Sequence, residues 1–255
     1  MKAVIFAGGF GTRLSEETTL RPKPMVEIGG RPILHHIMEC YARHGITEFV
    51  VLGGYKVAFI KDYFLNYYQR QGDFTVDLSN GNILWSQAKT EPWKVTVLDT
   101  GVDTMTGGRL KRARHVIGDE PFCLTYGDGV SDVNITELIE FHKSAGVMAT
   151  VTAVSPPGRF GVLSIEPDTH KVSGFREKDA VDVGLINGGF FVCNSGVFDL
   201  VDDDTTVWEQ APMRRLVEMD QLAAYHHSGF WQAMDTVRDR EYLETQYAKG
   251  APWLK

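Results

Sequence analysis

The chain opens MKAVIFAGGFGTRL, an apolar run from Ala3 to Ala7 that breaks into three glycines, Gly8, Gly9 and Gly11, and then an arginine, Arg13. No other stretch constrains the fold as much. A short apolar run ending in glycine reads as a buried strand. Bare backbone N–H groups beside a cation read as a seat for phosphate oxygens. The loop is not the dinucleotide fingerprint, because Leu14 stands where close helix packing wants a small residue. It is not a P-loop either, since no lysine follows until Lys23. A tight turn with a surface arginine would also use these glycines, so the loop by itself leaves both readings open.

The pattern after the loop extends the argument. Residues 31–45 carry Ile33, Ile37, Cys40 and Tyr41 at helical spacing and stop at Gly45. Residues 46–55 read as a second strand, ending in Gly53-Gly54, and 56–70 as a helix with Phe59, Ile60, Tyr63, Phe64 and Tyr67 on one side. Strand, loop, helix, strand, helix is the start of a parallel sheet with covering helices. DFTVDL, Asn80-Gly81 and NILW then predict a hairpin, an arm within residues 72–92. Further strands are expected at 93–100, before Gly127-Asp128-Gly129, at 147–154 and in a β-rich run up to Asn194. Helices are expected at 107–116, 134–145, 207–220 and 237–248. No linker or repeat divides the chain, so residues 1–255 are expected to form a single domain.

Charge and cysteine usage narrow the function. The net charge is −7, and no Lys/Arg-rich run marks a nucleic-acid surface. GRLKRARH (108–115) comes nearest and reads as a solvated helix face. Cys40, Cys123 and Cys193 are far apart in apolar surroundings, as reduced core thiols are, which fits the cytoplasm. The apolar run at the start is shorter than the ~7–15 residues of a signal-peptide core. No run is long enough to span a membrane. The pairs His35-His36 and His226-His227 point apart on a helix or strand, so neither makes a chelate.

AGGFGTRL followed by RPKPMVEIGGRPIL (21–34), with Arg13 and Lys23 ten residues apart, resembles the signature of the sugar-1-phosphate nucleotidyltransferases. EPWKVTVLDTG, MTGGRLKR, TYGDGVSD, PPGRFG, INGGFFV and GFWQAMDTVRD carry the resemblance to about Trp253 and point to the cytidylyl-transferring branch. The resemblance implies an α/β class, with a Rossmann-like nucleotidyltransferase fold. Its mixed, mostly parallel sheet would be flanked by helices, with a β-rich sugar-binding half. It implies that CTP and α-D-glucose 1-phosphate give CDP-glucose and pyrophosphate, with Mg²⁺ as cofactor. It further implies a homo-oligomer serving deoxysugar and lipopolysaccharide (O-antigen) biosynthesis.

Roles carry over residue by residue. Ala7, Gly8, Gly9, Gly11 and Thr12 would cradle the nucleotide, and Arg13 and Lys23 would bind its triphosphate. Thr104 and Arg109 resemble the segment placed near the nucleotide, and Gly127 borders it. Asp128, exposed between glycines at a strand's end, suits Mg²⁺, which keeps several waters and takes one or two carboxylates. Asp235 would be the second carboxylate, although Asp-Thr-Val before a helix also reads as a cap. Lys178 would hold the sugar phosphate and Glu177 the sugar hydroxyls. Asn187 and Gly188 border the sugar, and Trp231 packs on its ring. Asp179 departs from the family's proline at that position. Arg13, Lys23 and Lys178 are the expected catalytic cations. A uridylyl- or thymidylyltransferase acting on another hexose 1-phosphate would share Arg13, Lys23 and Asp128. A catalytically silent nucleotide sensor would bind CTP and release no pyrophosphate.

Overall fold

A computed structural model describes residues 1–14, 18–86, 89–155, 162–165, 172–176 and 184–255. For Arg13 and the strands Val162–Ile165 and Val172–Arg176 only the backbone is described. The Ala3–Ala7 strand is wholly buried, as its composition requires, and lies in the middle of an eight-stranded sheet. It pairs in parallel with Glu48–Gly53 on one side and Phe122–Tyr126 on the other. Lys94–Asp99 extends the first side, also in parallel. On the second side Phe191–Cys193 runs antiparallel to Phe122–Tyr126 and to Ala149–Val154. Ala149–Val154 then pairs in parallel with Leu222–His227 and antiparallel with the short Ile186–Asn187 strand. The sheet is therefore mixed and mostly parallel.

Two apolar layers clothe its faces. One is built on the Ile33–Ala42 helix and gathers Ile33, Ile37, Met38 and Tyr41 with Trp253. The other gathers Phe122, Phe191, Phe198, Trp208 and Leu216. Cys40, Cys123 and Cys193 are free thiols within this core. Among the described residues no helix is long and apolar enough to cross a membrane.

Two expectations need correction. Residues 56–70 form two helices, Val57–Leu65 and Tyr67–Gln71, broken at Asn66. Of the expected apolar side only Ile60 is buried, and Phe59 is 48% exposed. GRLKRARH is not simply a solvated face. It splits into Thr106–Arg112 and Arg114–Ile117, and Arg109, Leu110 and Ala113 are buried. The hairpin forms as its Asn80-Gly81 turn predicts: Phe74–Asp77 pairs with Asn82–Trp85, and Gly81 takes a φ of 77°. Every residue of both strands is exposed.

Candidate active site

The parallel strands all end at one edge of the sheet. There Ala7 leads into the glycine loop, Tyr126 into Gly127-Asp128, and Asp99 into Thr100-Gly101. A crevice outside the carboxyl ends of such strands is where open α/β sheets bind ligands. Asp235 reaches this edge by a separate route. Trp231–Ala233 pairs antiparallel with Gly129–Ser131, setting Ala233 opposite Gly129, and Met234 N donates to Asp128 O at 2.8 Å. That ladder brings Asp235 beside Asp128. The Thr236 capping box then opens the Val237–Ala248 helix, so the cap falls to Thr236 and Asp239 and leaves the Asp235 carboxylate for other work.

Lys23 joins the two carboxylates. It follows Pro22 in a short 3₁₀ turn whose Pro24 and Met25 are buried, which fixes the turn against the sheet. Its Nζ donates to Asp128 Oδ2 at 2.6 Å and to Asp235 Oδ1 at 2.7 Å. Burial works against the ammonium charge. Asp128 and then Asp235 outweigh it and hold the lysine above its ordinary pKa. Two carboxylate oxygens thus converge on a single cation. This pair of carboxylates also suits a hard divalent ion such as Mg²⁺.

Two cavities meet at this pair. The larger, about 510 Å³, is lined by every residue expected at the nucleotide whose side chain is described: Ala7, Gly8, Gly9, Gly11 and Thr12 of the loop, with Lys23, Thr104, Arg109 and Gly127. The smaller, about 230 Å³, is lined by Asn187, Gly188 and Trp231. Tyr126, Asp128 and Asp235 line both. The Arg13 backbone lies in a 3₁₀ turn, Thr12–Leu14, beside the larger cavity, but its side chain is outside what is described. Glu177, Lys178 and Asp179 lie outside the described residues.

Arg109 lines the larger cavity, but its donors turn into the protein. Nη1 reaches Gly53 O at 3.1 Å, Thr100 Oγ1 at 2.8 Å and Gly101 O at 2.6 Å. Nη2 reaches Gly8 O and Val102 O, both at 3.1 Å. The guanidinium ties together three of the loops that carry the site. It also accounts for two glycines: a Cβ on Gly8 or Gly54 would overlap it. Gly8 therefore serves packing as much as any phosphate. Gly127 is needed for a similar reason, since its Cβ would fall 2.5 Å from Phe6 O. Trp231 Nε1 is likewise committed, donating to Gly188 O at 2.7 Å.

One residue of the site, Tyr126, lies in the TYGDGVSD motif but gains no role from the sequence. It stands between the cavities, and its hydroxyl accepts from Asn187 Nδ2 at 3.0 Å. Elsewhere among the described residues, His35, Glu39 and Glu91 come close enough together to hold a metal. Arg31 already supplies a cation there, with Nη1 3.0 Å from His35 Nε2 and 3.3 Å from Glu39 Oε1.

Comparison with known proteins agrees with this arrangement. The nucleotidyl transferase family model matches residues 2–239. A glucose-1-phosphate cytidylyltransferase of Salmonella typhi is 54% identical over 255 aligned residues, 99% of this chain and 98% of that protein. One of Salmonella typhimurium matches to the same extent. Among solved structures, UDP-glucose pyrophosphorylase from Acinetobacter baumanii superposes with a TM-score of 0.70 at 19% identity, covering 99% of this chain and 95% of the other. HddC from Yersinia pseudotuberculosis gives 0.68 at 23% identity, over 96% and 99% of the two chains. At those identities the structures speak for the fold, and the sequence relatives speak for the family. A glycine loop on the first parallel strand, a lysine bridging two carboxylates at the sheet's carboxyl edge and a near full-length family match lead to one assignment: the chain belongs to the nucleotidyl transferase family.

Proposed function

We propose that the chain transfers the cytidylyl group of CTP to α-D-glucose 1-phosphate, giving CDP-glucose and pyrophosphate. The observation that carries this reading is the pair of cavities sharing Asp128 and Asp235, beside 54% identity to glucose-1-phosphate cytidylyltransferases. The larger cavity takes the nucleotide and the smaller takes the sugar phosphate. Their common wall is where the two phosphates must meet.

The nucleophile is a phosphate oxygen, ionised at neutral pH, so no general base is needed. The chain's task is to bring two polyanions together and to stabilise the charge that gathers on the leaving pyrophosphate. Asp128 and Asp235 hold Mg²⁺, which when bound screens the phosphates from one another. Arg13 and Lys23 steady the β- and γ-phosphates, and Lys178 holds the attacking phosphate. Asn187, Gly188, Glu177 and Trp231 receive the sugar. The Lys23 ammonium has three N–H donors, so beyond its bonds to the two carboxylates it has one to offer a phosphate. The enzyme works in the cytoplasm, where its three thiols stay reduced, and supplies CDP-glucose for deoxysugar and O-antigen assembly.

Release of pyrophosphate from four NTPs against a panel of sugar phosphates tests the reading. CTP with glucose 1-phosphate should give the highest rate. A preference for UTP or dTTP would sink the cytidylyl assignment, and binding of CTP with no pyrophosphate release would make the chain a sensor. The single domain is proposed to assemble as a homo-oligomer, with the arm of residues 72–92, whose strands Phe74–Asp77 and Asn82–Trp85 are exposed, reaching a neighbour. Leu78, Leu84 and Trp85 give it an apolar surface. Light scattering on a chain lacking the arm should show a smaller mass, and an unchanged mass ends the idea.

A further inference from the structure

A third cavity, of about 640 Å³, shares no lining residue with the two that meet at the carboxylate pair. It lies between residues 20–32 and the helices Val57–Leu65 and Tyr67–Gln71. Its volume is that of a small-molecule site, roughly 300–1,000 Å³.

One side of it is aromatic. Tyr63 and Tyr67 line the cavity, and each is held by its hydroxyl to a group behind the wall. Tyr67 donates to Glu91 Oε2 at 2.6 Å, and the Tyr63 hydroxyl lies 3.3 Å from His35 Nδ1. Arg31 Nη1 can only donate and sits 3.0 Å from His35 Nε2. That nitrogen is therefore the acceptor, and the proton of the neutral imidazole is on Nδ1, facing Tyr63. His35 is 1% exposed, and neither it nor Glu91 lines the cavity. What the tyrosines present to the cavity is thus their rings, with centroids 5.5 Å apart. Exposed Phe59 adds a third. Burial lifts both phenols above their ordinary pKa, so the rings are uncharged at neutral pH.

The rest of the wall offers cations. Arg21, Arg31 and Arg70 line the same cavity, and each guanidinium has five N–H donors. Arg21 uses Nη1 on Glu27 Oε1 at 2.7 Å, and Arg31 uses Nη1 on His35 and Glu39. Among the described residues, the Nε and Nη2 groups of both make no hydrogen bond, and the Arg70 side chain makes none at all. Glu27 and Asp62 are the carboxylates on this wall, and Glu27 is already paired with Arg21. A guanidinium fork matches phosphate oxygens, and a pinned tyrosine ring is a stacking platform.

We propose that this cavity is a second ligand site, for a phosphate carried on a flat ring, as in a nucleoside monophosphate: the ring lies on Tyr63 and Tyr67, and the phosphate meets Arg70 with the open edges of Arg31 and Arg21. The proposal goes beyond the transfer reaction and does not depend on its assignment.

The test is equilibrium dialysis of the full chain against radiolabelled AMP, with thermal melting as a check on folding. AMP should bind, and adenosine and inorganic phosphate should each compete about tenfold or more less well, since each offers half of what the wall recognises. Arg70→Glu should weaken AMP by about tenfold or more, and Arg21→Gln severalfold. Lys23→Met, which changes only the larger cavity, should leave the affinity within about twofold. Arg70 is exposed and Arg21 half-buried, so either folded variant carries the test. No binding of AMP overturns the proposal, as does an affinity that Arg70→Glu and Arg21→Gln leave unchanged. A loss in Lys23→Met alone would put AMP in the larger cavity and overturn it too. Phosphate competing as well as AMP would leave a simple anion site, and adenosine doing so would leave a simple aromatic one; either result rejects the paired recognition proposed.

Discussion

Lys23 and Arg109 line the same cavity, and both are cations in a protein of net charge −7. Their surroundings differ in kind. Lys23 faces two carboxylates that want any cation, while Arg109 faces four backbone carbonyls and a threonine hydroxyl, spread over loops from different strands. An ion pair at a half-open site can be exchanged for another ion. A planar fork filled by fixed carbonyls cannot be vacated without leaving several buried acceptors unpaired. The first arrangement can exchange its partner when a ligand binds, and the second belongs to the frame around it.

The strongest way to break this contrast is to remove a carboxylate. Asp128→Ala should lower turnover by roughly a thousandfold or more, about 4 kcal/mol of transition-state stabilisation, with little change in melting temperature. Near-normal turnover at saturating Mg²⁺ would discard Asp128 as a ligand. Arg109→Ala should show the converse pattern and destabilise the fold by about 3 kcal/mol, read in denaturant unfolding. Arg109→Lys should recover little, because one ammonium cannot span the same five oxygens. A variant that melts like the parent but binds CTP poorly would make Arg109 a ligand contact and not a tie.

The Arg31 cluster sharpens the comparison from between the two cases. Its guanidinium faces Glu39 and Glu91, as Lys23 faces its carboxylates, but it also meets His35. Burial, then the Arg31 charge, bring the His35 pKa down from 6.5 to about 4, so the imidazole is neutral in the fold. Tyr63 and Trp93 close the ring in. The unfolded chain takes up the proton first as pH falls. This contribution to stability is therefore complete above pH 6.5 and is lost progressively towards pH 4, by about 1–3 kcal/mol. His35→Gln should flatten that part of the stability profile. A parent whose stability does not fall between those pH values would refute it.

These cases also show what a sequence can disclose. Gly8, Lys23, Asp128 and Asp235 each lie in a motif with a recognisable spacing, and the structure brings their segments to one edge of the sheet. The role of Arg109 was hidden because GRLKRARH has the composition of a surface helix, and nothing local says that one of its three arginines turns inward to carbonyls from distant loops. Gly8 is ambiguous for the same reason: a glycine that admits a neighbour's side chain looks the same as one that admits a phosphate. The helix over 56–70 failed at Asn66, a residue type poorly suited to a helix interior. Tyr126 and Asn187, 61 residues apart, meet only through the fold.

The exchange at Lys23 can be read without turnover. If the ammonium occupies the place of a divalent ion, the two compete, and the free chain should bind metal poorly until phosphates draw the lysine away. Lys23→Met removes the competitor and leaves two adjacent carboxylates whose mutual repulsion any divalent ion relieves. Titration with Mn²⁺, followed by its paramagnetic resonance in the absence of nucleotide, should show at least tenfold tighter binding to Lys23→Met than to the parent. Lys23→Met combined with Asp128→Asn should lose the gain. Equal Mn²⁺ affinity in parent and variant would mean that lysine and metal occupy different places. Lys23 would then stand with Arg109 as part of the frame, and the distinction between the two cations would fall.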